Sequence, residues 1–331
     1  MVGVVGSSPI VPTKIHETEF EKSNSVFSFI PLFCSNRKLS FLLSVFSIYR
    51  NAGSRWIITL SIVCHLGKIM CEKTYVPICH PITGLEHHVM PKVTSIPVPK
   101  ALLYVGNSFF FFNNGAHRFA RRLLQKAPNP PKFRCNMVAI NGASLSWHDV
   151  ESYFRPHAIS SYVINDQNEV VFRDPNDQLW DSVLLHDSSQ GPIHPTMGED
   201  FKKFAKLDAD ICRKHNATPI FVISWAYADK PEMTAQLADA ITTVANDNDA
   251  LAVPAGLAFA LARQKNPEVP LYISDKRHPT PAGSYLLACT IISSLFGVNT
   301  RDIHFDTELE PQLAAFLRDV AQETCDRFFS R

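Results

Sequence analysis

A chain of 331 residues with 46% hydrophobic and 19% charged content can bury a full core, which excludes a disordered protein and predicts one α/β domain with extra sequence attached. The formal net charge is +1, from 32 basic and 31 acidic residues interspersed along the chain, so no field of one sign exists to draw in nucleic acid or an anionic membrane. Eight cysteines, at 34, 64, 71, 79, 135, 212, 289 and 325, form no CxxC pair and read as reduced, mostly buried thiols.

Residues 1–95 differ in character from the rest, being rich in Ser and Phe with short apolar runs at 39–49 and 56–64. Neither run makes a stable membrane insertion, because Arg50 and Arg55 interrupt the apolar character and a spanning helix needs roughly 20 mostly apolar residues. Arg37-Lys38 before the first run imitates a secretory signal, yet it lies far from Met1 and lacks a clear small-residue cleavage site. Without sustained helical or strand periodicity, the segment is expected to be a poorly ordered extension, or an over-long start with the native chain beginning at Met70 or Met90. A start at Met90 leaves no export signal, which makes the cytoplasm the expected location. Cys64, Cys71 and Cys79 lie near His65, His80, His87 and His88, but their spacings fit no usual zinc pattern.

From Lys100 onward, within a domain taken as 96–331, short apolar runs alternate with amphipathic stretches. The pattern predicts strands over 101–105, 136–140, 182–185, 219–224 and 250–253, and helices over 116–126, 198–215, 231–246, 256–264 and 281–296. Five strands with helices between them argue for a three-layer α/β/α sandwich around a mainly parallel five-stranded sheet, of flavodoxin-like type. A last helix, near 310–329, places Leu313, Phe316, Leu317 and Val320 at helical spacing and is expected on the sheet layer. The loop 145–180 is the one long irregular insertion, of a kind that often shapes a binding site. Nothing in the pattern speaks to oligomeric state.

The first strand runs into Gly106-Asn107-Ser108 and then a helix, so Ser108 stands at the carboxyl end of a strand, where open α/β sheets bind ligands. A serine there is also a common helix N-cap, and its hydroxyl becomes a nucleophile only with a base in hydrogen-bond reach. Asp275-Lys-Arg-His278 follows the apolar Leu271-Tyr272-Ile273 and precedes a helix whose first turn suits Pro281. His278 could take the Ser108 proton while Asp275 orients the imidazole, in the chain order Ser, Asp, His. His148, His186 and His194 are rival bases, each read as a loop or packing histidine, with Asp187 beside His186 the exception. Asn113 and Asn114 read as caps of the first helix or as substrate contacts, with capping preferred, and one or two of the phenylalanines at 109–112 as the lining of an acyl pocket.

Tyr104-Val-Gly-Asn-Ser108 followed far downstream by Asp275-Lys-Arg-His278 resembles the first and last sequence blocks of the SGNH (GDSL-like) hydrolase superfamily. Val253-Pro-Ala-Gly-Leu-Ala-Phe259 and His278-Pro-Thr-Pro-Ala-Gly-Ser-Tyr-Leu-Leu-Ala-Cys289 resemble a bacterial branch with GNS in place of GDS, often described only as a domain of unknown function. The likeness covers about residues 100–297. It implies a serine esterase acting on a small-molecule or glycan ester, without metal or organic cofactor, with Ser108, Asp275 and His278 as the catalytic residues. A non-catalytic carbohydrate- or ligand-binding member of the same fold is the alternative, and a phosphate-binding module lacks any GxGxxG or Walker A glycine pattern. The resemblance further implies oxyanion donors at Ser108 and Gly142. The family's GxND block is replaced by His186-Asp187-Ser188-Ser189-Gln190, where Ser188 is the preferred third donor by position.

Overall fold

The computed structural model describes residues 43–50, 56–63 and 88–331, and the chain divides into two compact units, Met1–Ile78 and Cys79–Arg331. In the first, β1 (Leu43–Arg50) and β2 (Trp56–Val63) pair antiparallel from Leu43↔Val63 to Arg50↔Trp56. Both are rich in β-branched and aromatic residues, a propensity that operates without the clean alternation sought in the sequence. The readings of the rest of this segment, including Met70 as a start and the Cys64, Cys71, Cys79, His65, His80 and His87 set whose spacings fit no zinc pattern, lie outside the described residues.

The second unit opens along 88–99, where the His88 and Val89 N–H groups donate to Asp239 Oδ1 (2.7 and 2.9 Å) and the Lys92 N–H to Asn246 Oδ1 (2.7 Å). Next come β3 (Ala101–Gly106), the single turn α1 (Ser108–Phe111), α2 (Ala116–Leu124), β4 (Arg134–Ala139), and a short ribbon of β5 (Tyr162–Ile164) and β6 (Val170–Phe172). Then β7 (Ser182–Leu185), α3 (Met197–Lys214), β8 (Thr218–Val222), α4 (Met233–Asp247), β9 (Leu251–Val253), α5 (Ala255–Lys265), α6 (Pro281–Phe296) and α7 (Pro311–Phe328) complete it.

The order β4-β3-β7-β8-β9 makes a five-stranded sheet in which every ladder is parallel. All residues of β3 and β7 are buried, which is why both read as continuous apolar runs rather than alternating ones. Helices α3 and α4 cover one face, and α2, α5 and α6 the other, giving the three-layer sandwich. The chain leaves β3 toward β4 on one side and later returns as β7 on the other, so the carboxyl end of β3 is the topological switch point where such sheets form a crevice.

Helix α7 packs on α5 and α6, not on the sheet layer that its spacing predicts. The reason lies in α6, which is buried at every position from Ala282 to Phe296: a helix apolar all round needs cover on its outer side too. The long insertion also has more structure than expected. It holds 3-10 turns at Leu145–Trp147 and Val150–Phe154 before the β5–β6 ribbon, whose six residues are all exposed.

Two glycines of the HPTPAG and VPAG stretches mark close approaches of helix to loop. A Cβ at Gly256 would stand 2.1 Å from the Ser224 carbonyl oxygen, and one at Gly283 would stand 2.5 Å from that of Leu271. Gly283→Ala is therefore expected to cost about 1–3 kcal/mol by forced backbone displacement, read as a lowered midpoint in urea unfolding with an unchanged m-value.

Candidate active site

The Asn107 side chain organises the carboxyl end of β3. Its amide donates to the carbonyl oxygens of Ala143 and Asp187 (2.9 Å each), in the loops after β4 and β7, and its Oδ1 accepts from the Phe109 N–H at 3.1 Å. Asn107 is thus the N-cap of α1, which leaves the Ser108 hydroxyl free of capping. That hydroxyl donates to His278 Nε2 at 2.8 Å, and His278 Nδ1 donates to Asp275 Oδ2 at 2.5 Å. The three polar residues singled out in the sequence therefore meet, although Ser108 and His278 stand 170 residues apart.

The 271–280 segment is pinned as a narrow loop. Tyr272 bridges Pro279, the Ile273 N–H donates to the His278 carbonyl (3.0 Å), and the Thr280 N–H to that of Leu271 (2.9 Å). Asp275 Oδ1 accepts from the N–H groups of Arg277 (2.9 Å) and His278 (3.0 Å). Burial pushes the Asp275 carboxyl upward, but the hydrogen bond from His278 and those two N–H donors outweigh it and hold the group at about 2. It is consequently ionised at neutral pH, as orienting the imidazole requires.

Aromatic rings brace the imidazole. Phe112 lies flat on the His278 ring (centroids 4.3 Å apart, 15° between planes) and Phe109 meets it edge-on (5.5 Å, 81°). Phe109 stacks on Trp225 (4.3 Å) and Trp225 on Phe259 (4.4 Å), while Trp225 Nε1 donates to the Arg277 carbonyl at 2.9 Å. Of the four phenylalanines, Phe110 is buried in the core and Phe111 is exposed, while Phe109 and Phe112 both touch His278, Phe109 by its edge and Phe112 as a cover on the ring face. Asn113 corrects the capping expectation. Its residue takes a left-handed φ of 57° at the break between α1 and α2, and its amide donates to the Pro279 carbonyl (2.9 Å) and Ser284 Oγ (2.8 Å). It ties that break to the His278 loop, whereas α2 begins at Gly115 with no side-chain cap. No motif signalled Trp225; Asn107 and Asn113 were visible as residues but not as cross-links.

Among the described residues, the N–H groups of Ser108 and Gly142 donate to no protein acceptor. Gly142 sits exposed in the turn after β4 with φ of 72°. The Ser188 hydroxyl is unpartnered and sealed from solvent, with Gly191 packed beside it, whereas Ser189 Oγ and Gln190 Nε2 both reach the Tyr227 hydroxyl at 2.7 Å.

The rival histidines are engaged elsewhere. His148 Nε2 donates to the Gly106 carbonyl and its Nδ1 accepts from Tyr153 (3.0 Å each). His186 is fully buried against Ser224 Oγ at 2.9 Å, and burial pushes its pKa down to about 3. His194 Nδ1 accepts from the N–H groups of Thr196 and Met197 (3.3 Å each) at the start of α3. Asp187 does not serve His186, because its Oδ1 accepts from the Leu145 N–H at 2.7 Å. Burial raises Asp187 to about 6, and burial together with Asp187 raises Asp208 on α3 to about 8. The Oδ2 atom of each is buried and has no hydrogen-bond partner among the described residues.

Compared by sequence, the chain matches no known family profile and no curated protein. Among solved structures it is similar to a DUF4886 family protein from Bacteroides uniformis, at 19% identity over 67% of this chain and 93% of that one, with a TM-score of 0.47. It is also similar to a putative SGNH hydrolase from Slackia heliotrinireducens, at 20% identity over 59% and 97% of the two chains (TM-score 0.42). A third is a catalytic mutant of an acetylxylan esterase from Geobacillus stearothermophilus, at 16% over 61% and 96% (TM-score 0.43). At such identities the likeness assigns no role to any residue.

Two outcomes follow from this arrangement. Asn107→Asp keeps the shape but turns a double donor into a buried acceptor facing two carbonyl oxygens, so a loss of about 1–3 kcal/mol or more is expected in chemical denaturation. Asp208 binds its proton more tightly folded than unfolded, so its contribution to stability is full below pH 3.8 and is lost as pH rises to about 8. Asp208→Asn should accordingly flatten the pH profile of the melting temperature between those limits and stabilise the protein relative to the parent at pH 8.

Proposed function

We propose that the chain is a serine esterase of the SGNH kind, hydrolysing an acetyl or short acyl ester on a carbohydrate or lipid. The observation that carries this reading is the unbroken relay from Ser108 Oγ through His278 to Asp275 (2.8 and 2.5 Å), at the switch point of the sheet. Ser108 Oγ attacks the ester carbonyl carbon as its proton passes to His278 Nε2, and Asp275 stabilises the imidazolium. Collapse of the tetrahedral intermediate expels the alcohol, which takes the proton from His278. A water molecule then attacks the acyl-enzyme by the same route in reverse, releasing the acid and restoring Ser108. Every proton in this cycle moves between substrate, water and the chain's own side chains, so it needs no metal or organic cofactor.

The uncommitted N–H groups of Ser108 and Gly142 are suited to the developing oxyanion, because donors not spent on the protein need no rearrangement as charge forms. A third donor at Ser188 would require its sealed hydroxyl to turn outward. Trp147, 61% exposed five residues after Gly142, offers a flat apolar face of the sort sugar rings stack on.

The test is labelling with a fluorophosphonate probe together with turnover of p-nitrophenyl acetate, in the parent, Ser108→Ala and His278→Ala. The expected result is an adduct on Ser108 and a loss on the order of 10³-fold or more in each variant. Equal turnover in the parent and Ser108→Ala rejects the assignment. Absence of adduct with saturable binding in a glycan thermal-shift panel identifies a non-catalytic binding member instead.

A further inference from the structure

Helix α2, Ala116-His-Arg-Phe-Ala-Arg-Arg-Leu-Leu124, exposes Arg118, Arg121 and Arg122. None of these guanidinium groups makes a hydrogen bond or ion pair with a described residue, and Arg122 only rests over the Phe305 ring at 4.9 Å. Every other arginine within 88–331 is tied to a carbonyl or a carboxylate, as Arg213 is to the Asn248 carbonyl, Arg277 to that of Asp275 and Arg318 to Asp306. Helix electrostatics account for part of this. Arg121 and Arg122 occupy the last turn, where a cation is favourable; Arg118 occupies the first turn, where it is not. Its charge is an expense to the fold that no internal partner offsets.

The same residues line two adjoining cavities. One, of about 460 Å³, lies between α2 and β4 and is lined by His117, Arg118, Arg121, Asn136 and Met137, with no carboxylate among its residues. Its strand wall, β4, is an edge of the sheet, so outward backbone groups there have no partner strand. The His117 Nδ1 is buried and has no hydrogen-bond partner among the described residues. The second cavity, of about 200 Å³, shares Arg118 and adds Arg122, Asn113 and Pro281. Its one acid, Glu308, forms no ion pair with a described residue. Asn113 holds the Pro279 carbonyl beside His278, and its neighbour Phe112 covers the imidazole. Arg118 and Arg122 thus share a cavity wall with Asn113, the residue tied to the His278 loop, and Arg118 also lines the groove that holds Arg121.

We infer that the α2–β4 groove is a subsite for a carboxylate carried by the ester substrate, as on an acidic sugar, held by the Arg118 and Arg121 guanidinium groups. The planar fork of a guanidinium matches a carboxylate with two parallel hydrogen bonds. This assignment rests on the esterase reading and narrows its substrate class.

The experiment measures kcat/KM on O-acetylated oligogalacturonides and on neutral O-acetylated xylo-oligosaccharides. The parent should prefer the acidic substrate, and Arg118→Gln with Arg121→Gln should lower the acidic-to-neutral ratio by about tenfold, through KM. Lys126→Gln, which removes a charge just past α2 outside the groove, should leave the ratio unchanged. Binding of unacetylated oligogalacturonide to Ser108→Ala, measured by calorimetry, provides an arm that needs no turnover. Hydrolysis of both substrates at a ratio insensitive to the two arginines overturns the subsite while the esterase reading stands. Arginine-dependent binding without any hydrolysis or probe adduct overturns the esterase reading and keeps the subsite. Equal loss in Lys126→Gln also overturns the subsite, since net charge would then explain the effect.

Discussion

The amide of Asn107 is the tie on which the site depends. Three separate segments must converge at the carboxyl end of β3, and this one side chain spends both of its donors on the loops after β4 and β7 while its oxygen caps α1. Only an amide has that combination: a carboxylate in its place would offer acceptors to two carbonyl oxygens. Asn107, between Gly106 and Ser108, is therefore coupled to the way these loops present their backbone, and the cap it supplies is what frees the Ser108 hydroxyl to meet His278.

The second half of the relay is held by different means. The 275–278 turn is closed by its own carboxylate, with Asp275 accepting two backbone N–H groups while orienting the imidazole. Rings and carbonyls then fix that turn to the rest of the molecule. Trp225 takes the Arg277 carbonyl and stacks between Phe109 and Phe259, joining α1, the end of β8 and α5 into one column. Stacked rings are stiff, with few rotamers to lose, and Phe112, stacked on His278, covers one face of the imidazole. Asn113 completes the frame from the α1–α2 break.

Polar burial behind the site has a different character. Asp187 and Asp208 are buried, each with an oxygen that has no partner among the described residues; desolvation raises both, and repulsion from Asp187 adds to it at Asp208. Asp187 nonetheless shapes the crevice, since its Oδ1 holds the Leu145 N–H at the start of the long insertion and its carbonyl holds Asn107. The surface of α2 shows the opposite condition, with positive charge exposed and unspent.

The sequence by itself determined the sheet, because buried parallel strands are continuous apolar runs and the helices between them carry a 3.6-residue period; α6 matches its expected span of 281–296 end to end. It also singled out Ser108, Asp275 and His278, since a strand-to-helix serine and a DxxH before a proline-started helix are local patterns. What only the tertiary structure decided is everything that passes between distant segments: that Asn107 rather than Ser108 caps α1, that Asn113 serves the His278 loop, that Phe112 covers the imidazole, and that α7 packs on α5 and α6. Periodicity and motif spacing report the chain's neighbours in sequence, whereas a hydrogen bond or a ring contact depends on direction as well as proximity. Those directions exist only once the strands are in register and the loops at their ends have closed.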